Sequence, residues 1–482
     1  MSHSYLIRRA MTLLTLLLIS SSGVAQPDEF QRWRAQTQGQ FQAYLDANDK
    51  AFMDFLKQQW REVELEPERK LDPEPKPVVI PQAPEPKPEP APIPEPTPEP
   101  ETRPEQTPPP PTVPTPSIDR NLSQVKLTFY GHDLTIPYDR KMVTVYRGRP
   151  NGDNIANYWQ SLATTNHSAT LKTLRDIQQA LTLNDWAMAL LVDQFSRSLH
   201  RDHNSRTLTN WFLLVKSGYD ARLAYNDHIH LLMPSEQTLY GTTFFRLQQR
   251  TYYALNLHDN RTLSGRVYTY DEQHENAQQA LNFTDAGVFH ASGKRMQRQL
   301  SFQDNGQTMT LTIDYPKAAV DYLNQYPQMD LPKYFRADLD PSVAQPLLQQ
   351  MRPWLAGLET EAAVNRLLRF VQTAFEYQTD DQQFGRENYL FPLETLHYPY
   401  SDCEDRAALF AWLVRELLQL DVVILDYPGH IATAVALPKS INGDKIRHQG
   451  RDFWVADPTY VYANIGMTMP QYQSLTPNVI AY

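Results

Sequence analysis

Proline decides where this chain can build a core. Of its 38 prolines, 21 fall within 67–116, in runs such as EPKPEPAPIPEPTPEPE. Proline has no backbone N–H and a fixed φ, so this stretch favours polyproline II over helix or sheet ladders. At about 3.1 Å per residue, it reaches on the order of 150 Å when extended. The stretch reads as a semi-rigid spacer without a core, which places the folded part of the chain after it. A ligand for a Pro-binding domain is the second reading. The chain's length of 482 residues allows about two or three domains.

Ahead of the spacer, Arg8 and Arg9 precede an apolar run from Met11 to Ile19, and small residues follow up to Ala25. That run is shorter than the roughly 20 residues needed to span a bilayer, so residues 1–25 read as a cleaved secretory signal. The chain is expected in the periplasm or outside the cell, with no membrane span once the signal is removed. Residues 28–65, within a segment bounded at 26 and 66, read as one long amphipathic helix. Phe30, Phe41, Phe52 and Val63 recur every 11 residues, as do Trp33, Tyr44 and Phe55. That period corresponds to about 3.67 residues per turn and a coiled-coil-like apolar stripe. A lone helix cannot bury such a stripe. Its partner is another copy, an envelope protein or the later domains.

A net charge of -10 and the lack of any basic stripe argue against a nucleic-acid partner. The cysteine count is more informative. Cys403 is the chain's only cysteine, so an exported protein has no internal disulfide to make from it. A buried apolar cysteine is the ordinary alternative, and the residues around Cys403 speak against it.

From about 118 the pattern becomes globular. The stretches VKLTFYGHDLTIPY and MVTVYRG alternate as strands of a hairpin or small sheet. Helices are expected at 171–182, at 184–198 with Asn184 as N-cap, and at 208–217 with Gly218 ending the last. DARLAY, HIHLLM and TYYALN read as strands. So do GRVYTY, RQLSFQD and MTLTIDY, as hairpins packed on the preceding unit. His228 and His230 alternate on one of these strands with no third ligand at zinc-like spacing, so they read as ordinary strand residues. Asp380-Asp381 reads as a solvated turn.

The C-terminal block carries the chemistry. Ser401-Asp402-Cys403-Glu404-Asp405-Arg406 opens the apolar run AALFAWLVRELL, and Ser401 and Glu404 stand at capping-box spacing. The helix therefore starts at the thiol. The positive end of its macrodipole favours thiolate there, and converging N–H groups can receive an oxyanion. Two strands follow, separated by Pro428-Gly429, and His430 begins the second. A further strand, Phe453 to Ala456, ends at Asp457-Pro458. In that order His430 takes the thiol proton, and Asp457 fixes the imidazole tautomer and stabilises its cation.

This segment, about residues 345–465, resembles the transglutaminase-like superfamily, the papain-related fold of transglutaminases, peptide N-glycanases and a group of bacterial cysteine peptidases. The family's Cys-bearing helix start, its strand opening with His and its Trp-x-x-x-Asp-Pro-type end correspond to Ser-Asp-Cys403-Glu-Asp, Gly-His430 and Phe453-Trp454-Val455-Ala456-Asp457-Pro458. Ser401 replaces the usual Gly, and Ile431-Ala432 stand where many members have Ala-Trp. The resemblance implies a Cys403–His430–Asp457 triad. It also implies an upstream side chain that helps the oxyanion, for which Tyr398 and Tyr400 are candidates, and Trp454 is a candidate at the substrate wall. Some bacterial members use calcium, so Glu404 and Asp405 are potential ligands, but a cap and a helix-face salt bridge to Arg406 or a neighbour account for them without cofactor or metal.

The middle region echoes this block. Trp211 and Trp412, and Asn256 and Asp457, are each 201 positions apart, and Asp202 stands where the cysteine would be. Either two helix–strand–strand units are alike by chance, or a degenerate, catalytically dead second core precedes the first. The expectation is an α+β protein: signal 1–25, helix 26–66, Pro-rich linker 67–117, mixed α/β domain 118–335, and a papain-like, transglutaminase-like catalytic domain 336–482. Its chemistry would be acyl transfer from a peptide or protein amide through a Cys403 thioester, as a peptidase or amidase. A crosslinking transglutaminase and a non-catalytic envelope scaffold with a vestigial triad are the alternatives.

Overall fold

The computed structural model describes residues 27–58, 60–71, 76–77, 79–85, 113, 121–255, 257, 263–283 and 289–482. The signal segment, most of the Pro-rich stretch and Asn256 lie outside these. So do the side chains of Phe30, Trp33, Phe41 and Tyr44. Residues up to Phe52 form one unit and Met53–Tyr482 the other. Among the described residues no helix is long and apolar enough to cross a membrane.

Helix α1 spans Pro27–Leu56 and so ends nine residues before the expected 65. The residues just beyond it are claimed by other contacts. Trp60 donates its indole N–H to the Leu56 carbonyl, and Arg61–Val63 forms strand β1, paired with a distant strand over Val63↔Val267. Val63 fits the helical stripe by spacing, but sheet pairing takes it.

Strands β2 (Ser123–Phe129) and β3 (His132–Tyr138) form a hairpin. The expected strand MVTVYRG is absent: residues 140–142 make a 3-10 turn, and Val143 and Val145 are 45% and 54% exposed, with no strand alongside. Four helices follow, α2 (Gly152–Ala163), α3 (Ser168–Ala180), α4 (Asp185–Leu199) and α5 (His203–Lys216). The Asn184 side chain accepts from the Ala187 N–H, as its N-cap position requires. Gly218 has φ +102°, a left-handed stop after α5.

Then come β4 (Arg222–Tyr225), β5 (Ile229–Pro234), β6 (Phe244–Leu247), β7 (Arg250–Leu255) and β8 (Val267–Thr269). With β1 they form an antiparallel sheet of order β1-β8-β4-β5-β7-β6. A long hairpin follows, β9 (Arg295–Asp304) and β10 (Gln307–Pro316).

The C-terminal part carries α6 (Lys317–Leu323), α7 (Pro332–Arg336), α8 (Pro341–Leu355) and α9 (Thr360–Thr373), then the short pieces β11 (Glu376–Tyr377), α10 (Asp380–Gln383), α11 (Pro392–His397) and β12 (Tyr400–Ser401). Helix α12 (Cys403–Leu418) is buried continuously from Cys403 to Val414, so every face of it meets protein. Burial of each large apolar side chain there contributes about 1.5–3 kcal/mol. Strands β13 (Val422–Tyr427), β14 (His430–Val435), β15 (Lys445–His448), β16 (Arg451–Ala456) and β17 (Asn478–Ile480) make an antiparallel sheet of order β15-β16-β14-β13-β17.

The two sheets share a plan. Each follows a buried helix, α5 or α12, and runs in the order β4-β5-β7-β6 or β13-β14-β16-β15. Strands β5, β6 and β7 begin at 229, 244 and 250, and β14, β15 and β16 at 430, 445 and 451, each pair 201 residues apart and equal in length. The architecture is mixed α/β, with helices packed on antiparallel sheets.

Candidate active site

Local chemistry places the three residues. At the end of β13, Tyr427 pairs with His430 across the two-residue turn Pro428-Gly429, in which Gly429 takes φ +67° without a Cβ penalty. The turn therefore fixes His430 as the first residue of β14. Strand β16 lies beside β14 with Thr433↔Ala456 in register, which brings Asp457 next to the imidazole. Cys403 is the first residue of α12, with Asp402 as N-cap; the Asp402 N–H donates to Asp405 Oδ2 at 3.4 Å. The cap pair is thus 402/405, one residue later than the expected 401/404. Ser401 is withdrawn from capping because its hydroxyl accepts from Arg406 Nε at 3.1 Å.

His430 Nε2 donates to Asp457 Oδ2 at 2.9 Å. The other oxygen, Asp457 Oδ1, accepts from the Thr459 and Tyr460 N–H groups at 2.9 and 3.2 Å, so the carboxylate cannot swing. His430 Nδ1 is buried without a close hydrogen-bond partner, and the group besides Asp457 that acts on the ring is the Cys403 thiol. The imidazole thus stands between sulfur and carboxylate. Burial opposes its charge, but the Asp457 charge and hydrogen bond, with Cys403, overcome this and push the His430 pKa up to about 10. The Tyr472 ring stacks on His430 at 4.9 Å and 14°, closing one face of the imidazole.

Behind the carboxylate stands Gln372, at the end of α9. Its Nε2 donates to the carbonyls of Asp457 and Ala463, both at 3.0 Å, and its Oε1 accepts from the Tyr462 N–H at 3.2 Å. Arg406, buried in α12, donates to the Phe375 carbonyl at 2.9 Å and ties the start of α12 to the end of α9. Burial lowers its pKa to about 10.

A carboxylate nest flanks the thiol. Asp380, Asp402 and Glu404 are buried, and each offers an oxygen within 4.8 Å of the others. Asp380 is therefore not the solvated turn expected; burial, then the Asp402 charge, pushes its pKa up to about 9. Asp380 Oδ1 and Asp402 Oδ1 have no hydrogen-bond partner among the described residues. The Cys403 thiol donates to Glu404 Oε2 at 3.0 Å. Lys76, from the Pro-rich stretch, sits in the nest: its ammonium bonds Glu404 and Glu387, is 3.1 Å from Asp402 Oδ2 and 4.0 Å from Asp380 Oδ2. Asp405 is apart, its Oδ1 accepting from the Leu390 N–H at 2.9 Å. Among the described residues the ion pair of Glu404 is with Lys76 rather than with Arg406, and its other oxygen accepts from the Cys403 thiol.

The remaining candidates lie elsewhere. Tyr398 donates its hydroxyl to Asn324 Oδ1 at 2.7 Å, and Tyr400 is half-buried in β12, paired with Glu376. The Trp454 indole N–H goes to the Ile441 carbonyl at 3.1 Å, and its ring lies under the Lys445 ammonium. The phenol beside the sulfur is Tyr377, whose pKa is raised by burial and then by Cys403, and whose hydroxyl donates to the Pro77 carbonyl at 2.8 Å. His228 is exposed just before β5 and His230 is buried within it; the His203 ring lies 5.8 and 6.3 Å from theirs, but they offer no cluster with the spacing of a metal site among the described residues. Lys76, Gln372, Tyr377 and Tyr472 had no signal in the sequence, since each is recognisable only by what it touches. The chain matches no family model, no curated protein and no solved structure.

Proposed function

We propose that this protein is an exported thiol enzyme of the transglutaminase-like kind, which transfers the acyl group of a peptide or protein amide onto Cys403 and then onto water. The observation that carries the reading is the buried imidazole of His430, held on one side by Asp457 and facing the thiol of a helix N-terminus on the other. An imidazolium next to a thiol favours the thiolate nucleophile. Attack on the amide carbonyl forms a thiohemiketal-type oxyanion, for which the first N–H groups of α12 are available donors. His430 then delivers its proton to the leaving amine, and afterwards takes one from the water that hydrolyses the thioester. An amine in place of that water would make the same enzyme a crosslinker.

Calcium, which the resemblance allows, would be held by Asp380, Asp402 and Glu404 rather than by Asp405, and would supply positive charge beside the thiol. These three fit a hard cation by donor type and by the unpartnered oxygens of Asp380 and Asp402.

The test is capture of the acyl-enzyme. Wild type, Cys403→Ala and His430→Ala are mixed with a peptide library bearing activated amides, quenched in acid and examined by mass spectrometry, with and without a lysine-type amine. A peptidyl adduct on Cys403 that His430→Ala loses is the expected result. A thiol that never acquires an acyl group leaves the fold as a scaffold and ends the enzyme reading.

A further inference from the structure

The Pro-rich stretch behaves, at its start, as part of the folded unit. Glu66 pairs with Phe244 at the edge of the first sheet, and the Gly241 N–H donates to the Arg69 carbonyl. Farther along, Ile80 and Ala83 pack against Val423, Leu425, Ala434, Val455 and Tyr460 on the second sheet, with Ala83 buried. The Ala83 N–H donates to the Val461 carbonyl at 2.9 Å, and Gln82 bridges Val461 in parallel. Between these anchors and the thiol, the Tyr377 hydroxyl holds the Pro77 carbonyl. At the other end, the Lys76 ammonium reaches Asp402 and Glu404, the two residues on either side of Cys403. One anchor therefore lies four residues past Asp457, and the other at the start of the cysteine helix. Cys403, His430 and Asp457 are themselves all buried.

We propose that residues 76–77 and 79–85 act as an intramolecular strap that holds the Cys403 site shut, with Lys76 as its plug in the carboxylate nest. The idea rests on Cys403 being the nucleophile and names how access to it is regulated. Charge complementarity carries it: one ammonium, with its side chain 4% exposed, answers a nest of four carboxyl groups that the catalytic part provides. A buried ammonium without such partners would be strongly disfavoured. A proline-rich backbone suits the task, since it docks with few N–H groups to satisfy and little conformational entropy to lose. The strap opens when a competing cation, or a substrate's own lysine, takes the nest.

The experiment reads the sole cysteine of the full-length chain. Iodoacetamide alkylation is followed across pH, and the plateau rate at high pH is compared so that the loss of the Lys76 charge on sulfur ionisation does not enter. Lys76→Ala removes the plug, and Ala83→Asp loosens the strap while keeping the plug. Both are expected to raise the plateau rate at least tenfold. A peptide spanning residues 74–85 added to Lys76→Ala should slow it again, and the same peptide with alanine at 76 should not. Plateau rates within twofold of wild type in both variants would overturn the strap. If instead His430→Ala leaves the pH profile unchanged while the strap variants still open the site, the nucleophile reading fails and the strap stands.

Discussion

Replacing Asp457 by asparagine isolates the charge that holds His430 protonated. Asp457 Oδ1 is committed to two backbone N–H groups, so the new amide would keep its oxygen there and turn its NH2 towards His430 Nε2. The ring would then lose both the carboxylate charge and the acceptor for its Nε2 proton. In the intact protein its pKa is about 10 against an ordinary 6.5, a preference for imidazolium of about 5 kcal/mol at 1.36 kcal/mol per unit. With Asp457 neutralised, burial becomes the dominant influence and pushes the ring below 6.5. The sulfur would lose the cationic partner that favours its thiolate form, and with it nucleophilicity near neutral pH. Iodoacetamide should therefore label Asp457→Asn at least tenfold more slowly than wild type near neutral pH, with the difference closing at high pH, where the His430 charge of the wild type is lost as well. Intact-mass spectrometry over a time course measures both. Superimposable pH profiles for the two proteins would refute the argument, because the imidazole charge would then have no hold on the sulfur.

The same contacts set other outcomes. Glu394 is fully buried and accepts from the Phe391 N–H; burial pushes its pKa up to about 8 from 4.5, so the folded state holds a proton that the unfolded state releases. Its contribution is complete below 4.5 and lost as pH rises through 8. Glu394→Gln should therefore gain on wild type by about 3–5 kcal/mol between pH 5 and pH 8 in urea titrations. Gln372→Leu strands the Asp457 and Ala463 carbonyls and the Tyr462 N–H, which should cost about 3 kcal/mol in chemical denaturation and slow alkylation of Cys403. Calcium at millimolar concentration should raise the melting temperature of Lys76→Ala more than that of wild type, with a chelator reversing the gain, since the lysine competes for the same oxygens.

What could be read from the sequence was local. The Asn184 cap, the Pro428-Gly429 turn and the start of α12 at Cys403 each depend on neighbours within a few residues, and each appears where the pattern puts it. Strands β4, β5, β7 and β8 of the first sheet and β13, β14 and β16 of the second were legible for the same reason, whereas β1, β6, β15 and β17 were not read. Two local readings failed because the pattern was degenerate. Ser401-Asp402-Cys403-Glu404-Asp405 offers two cap pairs at identical spacing, and Arg406 decides between them by engaging Ser401. Val63 satisfies an 11-residue helical period and a strand alternation alike, and pairing with Val267 settles it. The nest could not be read at all. Asp380 looks like any surface aspartate until Asp402 and Glu404 arrive beside it, and Lys76 meets Glu404 across 328 positions of chain.

The matched spacing of the two sheets lets the protein be compared with itself. Where the second sheet opens β14 with His430, the first opens β5 with Ile229, equally buried, and where α12 begins with Cys403 the corresponding position is Asp202, which caps α5 through the Ser205 N–H. The same scaffold therefore closes around an ordinary aliphatic side chain and an ordinary cap. Nothing in the architecture requires an imidazole or a thiol, and a buried ion pair is commonly no more stabilising than the apolar side chains that fit its place. Selection for folding alone would let positions 403 and 430 drift towards the solution that positions 202 and 229 already display. On the function proposed above, the desolvated His430–Asp457 pair is where the second sheet gives up packing stability for reactivity.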